Sequence, residues 1–186
     1  MNSPRRRADA TENRGRIIDA AQALVMTSDD LRLNEVAKRA GVGQGTLYRH
    51  FPTRDELISA VYQQEVDMLI EAADQLMTER EPAMALREWL MLFVDFLDAK
   101  HGMAEAMDTL IGGPEPLYSR TPHRLDVPIK ALVAGGVATG IFRDDIEPHD
   151  LLRALAGVAH VRPSENWKRS AVRMVDLLLK GMQSTS

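Results

Sequence analysis

The run AGVGQGTLYRHFPTR, residues 40–54, brings Gln44, Thr46, Tyr48, Arg49, His50 and Arg54 together within eleven positions. These side chains suit nucleic-acid recognition. A glutamine amide can pair bidentately with adenine, an arginine guanidinium with guanine, and a threonine methyl can rest on a thymine methyl. Tyr48, His50 and Arg54 suit phosphate oxygens, contacts that fix register rather than sequence. Nothing else in the chain offers comparable chemistry. Cysteine is absent, so there is no thiol nucleophile and no thiolate metal site. His101, His123, His149 and His160 stand apart, without metal-ligand spacing. No Ser-His-Asp order, Walker loop or dinucleotide fingerprint occurs, so neither an enzyme nor a cofactor or metal is expected.

For these residues to act, they must project from one face of a held element. Leu33, Val36, Ala37 and Ala40 repeat at helical spacing and Gly41 stops them, predicting a short second helix. Gln44 to His50 then allows two turns, with Leu47 and Phe51 facing inward. Two short helices around Gly41-Val42-Gly43 are the elements of helix-turn-helix, whose second helix enters the major groove. The outward set is Gln44, Gly45, Thr46, Tyr48, Arg49 and His50. An αα-hairpin that only packs fits the same spacing.

Ile17, Ala20, Ala21 and Leu24 predict a preceding helix from Thr11, as N-cap, to Met26, closed by the polar loop Thr27 to Asp30. After Pro52, Thr53 with Glu56 forms a capping-box pattern opening a long helix from Arg54 to Met77, with Tyr62, Val66, Leu69, Ala73 and Leu76 inward. A helix from Pro82 is apolar nearly all round, from Leu86 to Leu97, and so is expected to be central. Gly102 ends it, a short helix holds Met103, Met107, Leu110 and Ile111, and GGPEP reads as a plain loop. Helices over 122–139, 148–161 and 164–182 follow, and the tail GMQSTS is expected to fray. The sum is an all-α fold of about nine helices.

Charge divides the chain in the same place. Residues 1–54 carry ten Lys/Arg against six Asp/Glu, a net +4; residues 55–186 carry thirteen against twenty-one, a net −8. A basic first module on an acidic remainder is the asymmetry expected if only the first meets a polyanion. The expected division is a DNA-binding domain over 1–54, with a basic arm over 1–10, and a helical effector-binding and dimerisation domain over 55–186. The amino terminus lacks an apolar segment after Arg5, Arg6 and Arg7, and no apolar run is long enough to span a bilayer. A cytoplasmic protein without a membrane partner is expected. Asp144, Asp145 and Glu147 read as a solvated turn.

The stretch VAKRAGVGQGTLYRHFPTRDELISAVY, residues 36–62, resembles the DNA-binding signature of the TetR family, named for the tetracycline repressor. The matching positions are Ala40, Gly41, Val42, Thr46, Leu47, Tyr48, His50, Phe51, Asp55 and Leu57. The resemblance implies that Gln44, Gly45, Thr46, Tyr48 and Arg49 face the groove, while Tyr48, His50 and Arg54 grip phosphate. Thr53 at the helix entry completes that surface. Arg54 stands where a lysine is more usual and keeps its charge. Gly43 replaces a common capping serine, and glycine is a tolerated N-cap. Arg32 stands near the usual Ser/Thr entry of the second helix, leaving Asn34 as the candidate cap and adding a candidate phosphate contact. Arg5 to Arg7 read equally as a minor-groove arm or as a solubilising tail.

Beyond the first third, the resemblance rests on helical content and length. It implies a small-molecule pocket among the middle helices, for which Met68, Trp89, Phe93, Phe96, Met103, Met107 and Leu110 are candidates; hydrophobic core is the competing assignment for each. It also implies that the last two helices pair with a second copy through Leu151, Leu155, Val158, Trp167, Ala171, Met174 and Leu178, as a homodimer on a near-palindromic operator needs. The function so implied is a repressor released from double-stranded DNA by a small effector. An effector-independent DNA-binding or protein-interaction module is the alternative.

Overall fold

The computed structural model describes residues 4–25, 31–160 and 166–184, and apart from one isolated β-bridge its regular elements are helices. They are α1 (Pro4–Val25), α2 (Leu33–Ala40), α3 (Gln44–His50), α4 (Arg54–Glu79), α5 (Pro82–Gly102), α6 (Ala104–Asp108), α7 (Glu115–Tyr118), α8 (Thr121–Ala138), α9 (Pro148–His160) and α10 (Trp167–Gly181). The helix beyond the expected nine is α7, a single turn closed by Leu117 N–H to Pro114 C=O at 3.0 Å, in and after the stretch expected as plain loop. Two compact units emerge, one of residues 1–64 with 100–117 and the other of 65–99 with 118–186.

In the first unit α1 packs on α2 and α3, and α2 on α3. Its helix starts at Pro4 rather than Thr11, because proline is favoured in a first turn and the following Arg and Ala residues are good helix formers. Arg5 to Arg7 therefore stand on helical backbone. Thr27 to Asp30 lie outside the described residues. Arg32, not Asn34, is the N-cap of α2, on extended backbone and without a side-chain capping bond. Asn34 helps from inside the helix, its Oδ1 accepting the Glu35 N–H at 2.9 Å. Gly41 takes the left-handed conformation at φ 65°, and Val42 N–H to Ala37 C=O at 3.0 Å with Gly41 N–H to Lys38 C=O at 3.2 Å completes a Schellman turn. Ile17, Ala21, Val36, Leu47, Leu57, Val61, Tyr62, Met103 and Met107 fill the core beneath these helices.

The second unit is organised by α5. Its Leu86, Trp89, Leu90, Phe93, Val94, Phe96 and Leu97 are buried, whereas Leu92 is exposed, so the apolar face is broad without closing the circle. Trp89 donates its Nε1–H to the Leu69 carbonyl at 2.8 Å, and its ring stacks on Phe93 at 6.1 Å between centroids, with Phe96 next at 5.9 Å. The edges of α5 are tied to α10 by Arg87–Asp176 at 3.0 Å and by Lys168, which reaches Asp95 and Asp98 at 2.9 Å each. Hydrogen bonding to Asp98 and Asp95 raises the Lys168 ammonium above the usual lysine range. Such exposed pairs contribute at most about 1 kcal/mol each, so they orient more than they stabilise.

Of the tail expected to fray, residues 181–184 are held, and residues 185–186 lie outside the described residues. Met182 is buried, Arg143 N–H reaches Met182 C=O at 2.9 Å, and Ser184 N–H reaches Ile141 C=O at 3.0 Å, forming the Phe142–Gln183 bridge. Asp145 is exposed as expected, but it is ion-paired to Arg143, whose hydrogen bonds hold its carboxyl below the usual range. Phe142 itself lies flat against Gly136, where an added Cβ would sit 2.0 Å from the ring. Since Phe142 is buried and cannot swing aside, Gly136→Ala is expected to overpack this corner and lower stability by about 1–3 kcal/mol, read by chemical denaturation. An unchanged midpoint would show that the contact relaxes without cost.

Candidate nucleic-acid interface

Helix α3 is a seven-residue rod held by one fully buried side chain, Leu47, with the buried Phe51 at its end. Gly43 caps it on extended backbone (φ −69°, ψ 148°), its carbonyl accepting from Thr46 N–H at 2.9 Å and Leu47 N–H at 3.1 Å. With Leu47 inward, Gln44, Gly45, Tyr48 and Arg49 are exposed, and Thr46 and His50 are half-buried. Tyr48 presents half its surface to solvent, unusual for an aromatic on a packed helix. Gln44, Gly45, Tyr48 and Arg49 thus share the side of α3 opposite Leu47, with Thr46 and His50 at its margins.

Several of the side chains expected to meet DNA are already engaged. Arg49 folds back along α3, donating Nε–H to the Gly45 carbonyl at 3.1 Å and Nη2–H to Thr46 Oγ1 at 3.0 Å. Arg54 donates Nη1–H to Thr109 Oγ1 at 2.6 Å. Thr53 Oγ1 accepts the Glu56 N–H at 3.2 Å, the cap predicted for α4. Arg32 is exposed at the entry of α2, and Asn34 is exposed as its second residue.

Contacts from α1 brace the ends of α2 and α3, and local sequence spacing does not single them out. The Arg14 guanidinium lies over the Phe51 ring, 5.2 Å from its centroid, and Arg16 Nη2 donates to the Gly41 carbonyl at 3.4 Å. A shallow groove of about 330 Å³ runs between α1 and α3, lined by Asp9, Ala10, Asn13, Thr46, Arg49 and His50. Only the charge count of residues 1–54 hinted at Arg14 and Arg16; their partners are 37 and 25 residues away, beyond any local pattern.

The other expected sites fall differently. Trp89, Phe93 and Phe96 are interior residues of the second unit, Met103, Met107 and Leu110 of the first, and Met68 is exposed. Val66, Leu69 and Ala73 take the inner stripe of α4, which turns Met68 outward. Leu151, Leu155 and Ala171 are buried within their own unit and offer no free surface, whereas Val158, Trp167, Met174 and Leu178 are half-buried. The most exposed apolar residue of α10 is Leu177, at 63%, which the single-stripe reading passed over. It belongs to a second stripe with Met174 and Leu178, beside the inner stripe Ala171, Val175 and Met182. His149 meets Asp126 at 2.9 Å, and among the described residues no group of three or more candidate ligands gathers for a metal.

Residues 17–61 match the family model for bacterial regulatory proteins of the tetR family, and residues 81–184 match that for the C-terminal domain of SbtR-like transcriptional regulators. The fold is similar to a TetR transcriptional regulator from Streptomyces coelicolor, 37% identical over 93% of this chain and 99% of that one, with a TM-score of 0.81. A TetR regulator from Mycobacterium vanbaalenii is 27% identical over 96% and 99%, with a TM-score of 0.76. An HTH-type transcriptional regulator of Staphylococcus aureus is 41% identical over 66 residues, which is 34% of this chain and only 36% of that relative.

The division between holding and reading residues can be measured. Leu47→Ala is expected to cost about 2–5 kcal/mol in chemical denaturation, while Gln44→Ala and Tyr48→Ala change stability by no more than about 0.5 kcal/mol. Equal losses in all three would mean that α3 is packed on both faces.

Proposed function

Because the chain belongs to the tetR family of bacterial regulatory proteins, we propose that it is a sequence-specific DNA-binding regulator of transcription, acting as a repressor on a near-palindromic operator. The observation that carries this reading is the solvent-facing set Gln44, Gly45, Tyr48 and Arg49 on a helix pinned from behind by Leu47. In this reading Gln44, Thr46 and Arg49 meet base edges, and Tyr48, His50, Thr53 and Arg54 meet phosphate, with Arg32 and Asn34 at the flank. Arg49 must exchange its bond to Thr46 for a base, which the exposed geometry permits. The site of action is the cytoplasm, with the chromosome; among the described residues no helix is long and apolar enough to cross a membrane.

A palindromic site requires two reading heads, so the acting species is a homodimer. Its contact surface is the outer stripe of α9 and α10, with Val158, Met174, Leu177 and Leu178. The effector is a small molecule that binds a non-reading conformer more tightly than the DNA-competent one and so shifts the population. One observation favours the effector-independent alternative: Trp89 has no exposed surface, and its indole N–H is bonded to Leu69. A ligand at Trp89 therefore needs space that this conformer does not offer.

Selection of genomic fragments by the purified protein at two salt concentrations tests the central claim. Enrichment of a palindrome is expected, with affinity falling steeply as salt rises, by a slope of roughly 0.9 per neutralised phosphate. Gln44→Ala should relax preference at one base position in each half-site by about 1–3 kcal/mol. Absence of any enriched sequence would remove the reading. On the assembly, Leu177→Glu is expected to convert the dimer to monomer in analytical ultracentrifugation; an intact dimer would place the interface elsewhere.

A further inference from the structure

The grip expected of Arg54 is not built by α4 alone. Thr109 Oγ1 donates its proton to the Ala106 carbonyl at 2.7 Å, which leaves its lone pairs for the Arg54 Nη1–H at 2.6 Å. The next residue of α4, Asp55, accepts the Ile111 N–H on its Oδ2 at 2.9 Å. Two consecutive residues in the first turn of α4 thus hold two positions of one corner, 55 and 56 residues further along the chain.

That corner is a firm support. Met107 and Leu110 anchor it in the core of the first unit, Gly113 N–H closes on Leu110 C=O at 2.9 Å, and Gly112 and Gly113 turn the chain away in the left-handed region at φ 87° and 75°. A guanidinium has five N–H donors, and Thr109 uses one, so four remain for a phosphate. A bond of this kind steers the arginine without consuming it. Left unsupported, so long a side chain would have to be ordered by DNA itself, at an entropic cost to affinity.

Resting on the DNA-binding reading above, we propose that Thr109 is a positioning residue for DNA binding: its hydroxyl preorganises Arg54 for a backbone phosphate, making affinity depend on the seating of residues 109–111 against α4. Anything that unseats the corner loosens the grip without touching α3.

The test is titration of full-length protein with its selected duplex and with an unrelated duplex, comparing wild type, Thr109→Val, Thr109→Ser, Arg54→Met and the double variant Arg54→Met/Thr109→Val. Thr109→Val is expected to weaken both duplexes about three- to tenfold with base preference unchanged, the size of one lost hydrogen bond. Thr109→Ser should recover most of the loss, and Thr109→Val should add nothing once Arg54 is methionine. Binding by Thr109→Val equal to or tighter than wild type overturns the proposal, as does an undiminished loss in the Arg54→Met background, which would assign Thr109 to fold stability. Should wild type itself select no duplex, the DNA-binding reading falls and takes this role with it; if wild type selects and Thr109→Val matches it, the positioning role alone falls.

Discussion

Seven residues are too few for a helix to persist in water, so α3 exists only because its neighbours hold it. The burial of Leu47 is the constraint on which the rest of the first unit turns. A leucine fully removed from water contributes roughly 1.5–3 kcal/mol, and here it also fixes which residues of α3 face outward. The Schellman turn at Gly41 delivers the chain to α3 at the required angle, and Arg14 over Phe51 closes the far end. Because the holding is done from one side, the opposite side is left to carry the exposed Gln44, Gly45, Tyr48 and Arg49. Buried and solvent-facing positions thus lie on opposite sides of two helical turns.

The second unit solves a different problem. Its helices are long enough to be largely self-consistent, and what it needs is a defined arrangement. The broad apolar face of α5 supplies burial, but burial is non-directional. Direction comes from fewer contacts: the Trp89 indole bonded to Leu69, the near-parallel Trp89 and Phe93 rings, and the Lys168 clamp on Asp95 and Asp98. The Phe142 corner adds a steric lock, since Gly136 admits the ring only by lacking a side chain.

What the sequence made legible was local. The Gly41 stop, the Thr53 cap, Leu47 and Phe51 inward and the long α4 all depend on residues within one or two turns, so spacing reveals them. The misses share a non-local cause. GMQSTS reads as a fraying tail, yet the backbone of Met182 and Ser184 pairs with Arg143 and Ile141, some forty residues earlier. On α10, Trp167 to Met182 reads as one apolar stripe because periodicity reports that a face is apolar without saying which neighbour covers it; Ala171 and Val175 go inward, and Leu177 goes outward. Met68 is the exception: residue type alone suggests a pocket lining, although local spacing already puts Val66, Leu69 and Ala73 on the inner face of its helix. Arg14 and Arg16 gave only charge to the sequence reading, and the structure turned that charge into braces for Phe51 and Gly41.

The division of labour in the first unit also limits how DNA binding can be controlled. A helix fixed by a fully buried leucine has little freedom to change the face it presents, because altering that face would mean withdrawing Leu47 from the core. Contacts at the start of α4 carry no such penalty: Arg54 bonds the exposed Thr109 hydroxyl and its neighbour Asp55 accepts the Ile111 N–H. Control through the 109–111 corner would therefore scale affinity for all sequences together and leave the preferred sequence intact. Linkage makes the relation mutual, since whatever factor the seated corner lends to DNA affinity, bound DNA must return to the seating of the corner. A ligand acting there need not be large or tightly bound. It must only distinguish the seated corner from the unseated one, and the span it can command is set by that difference and by nothing else.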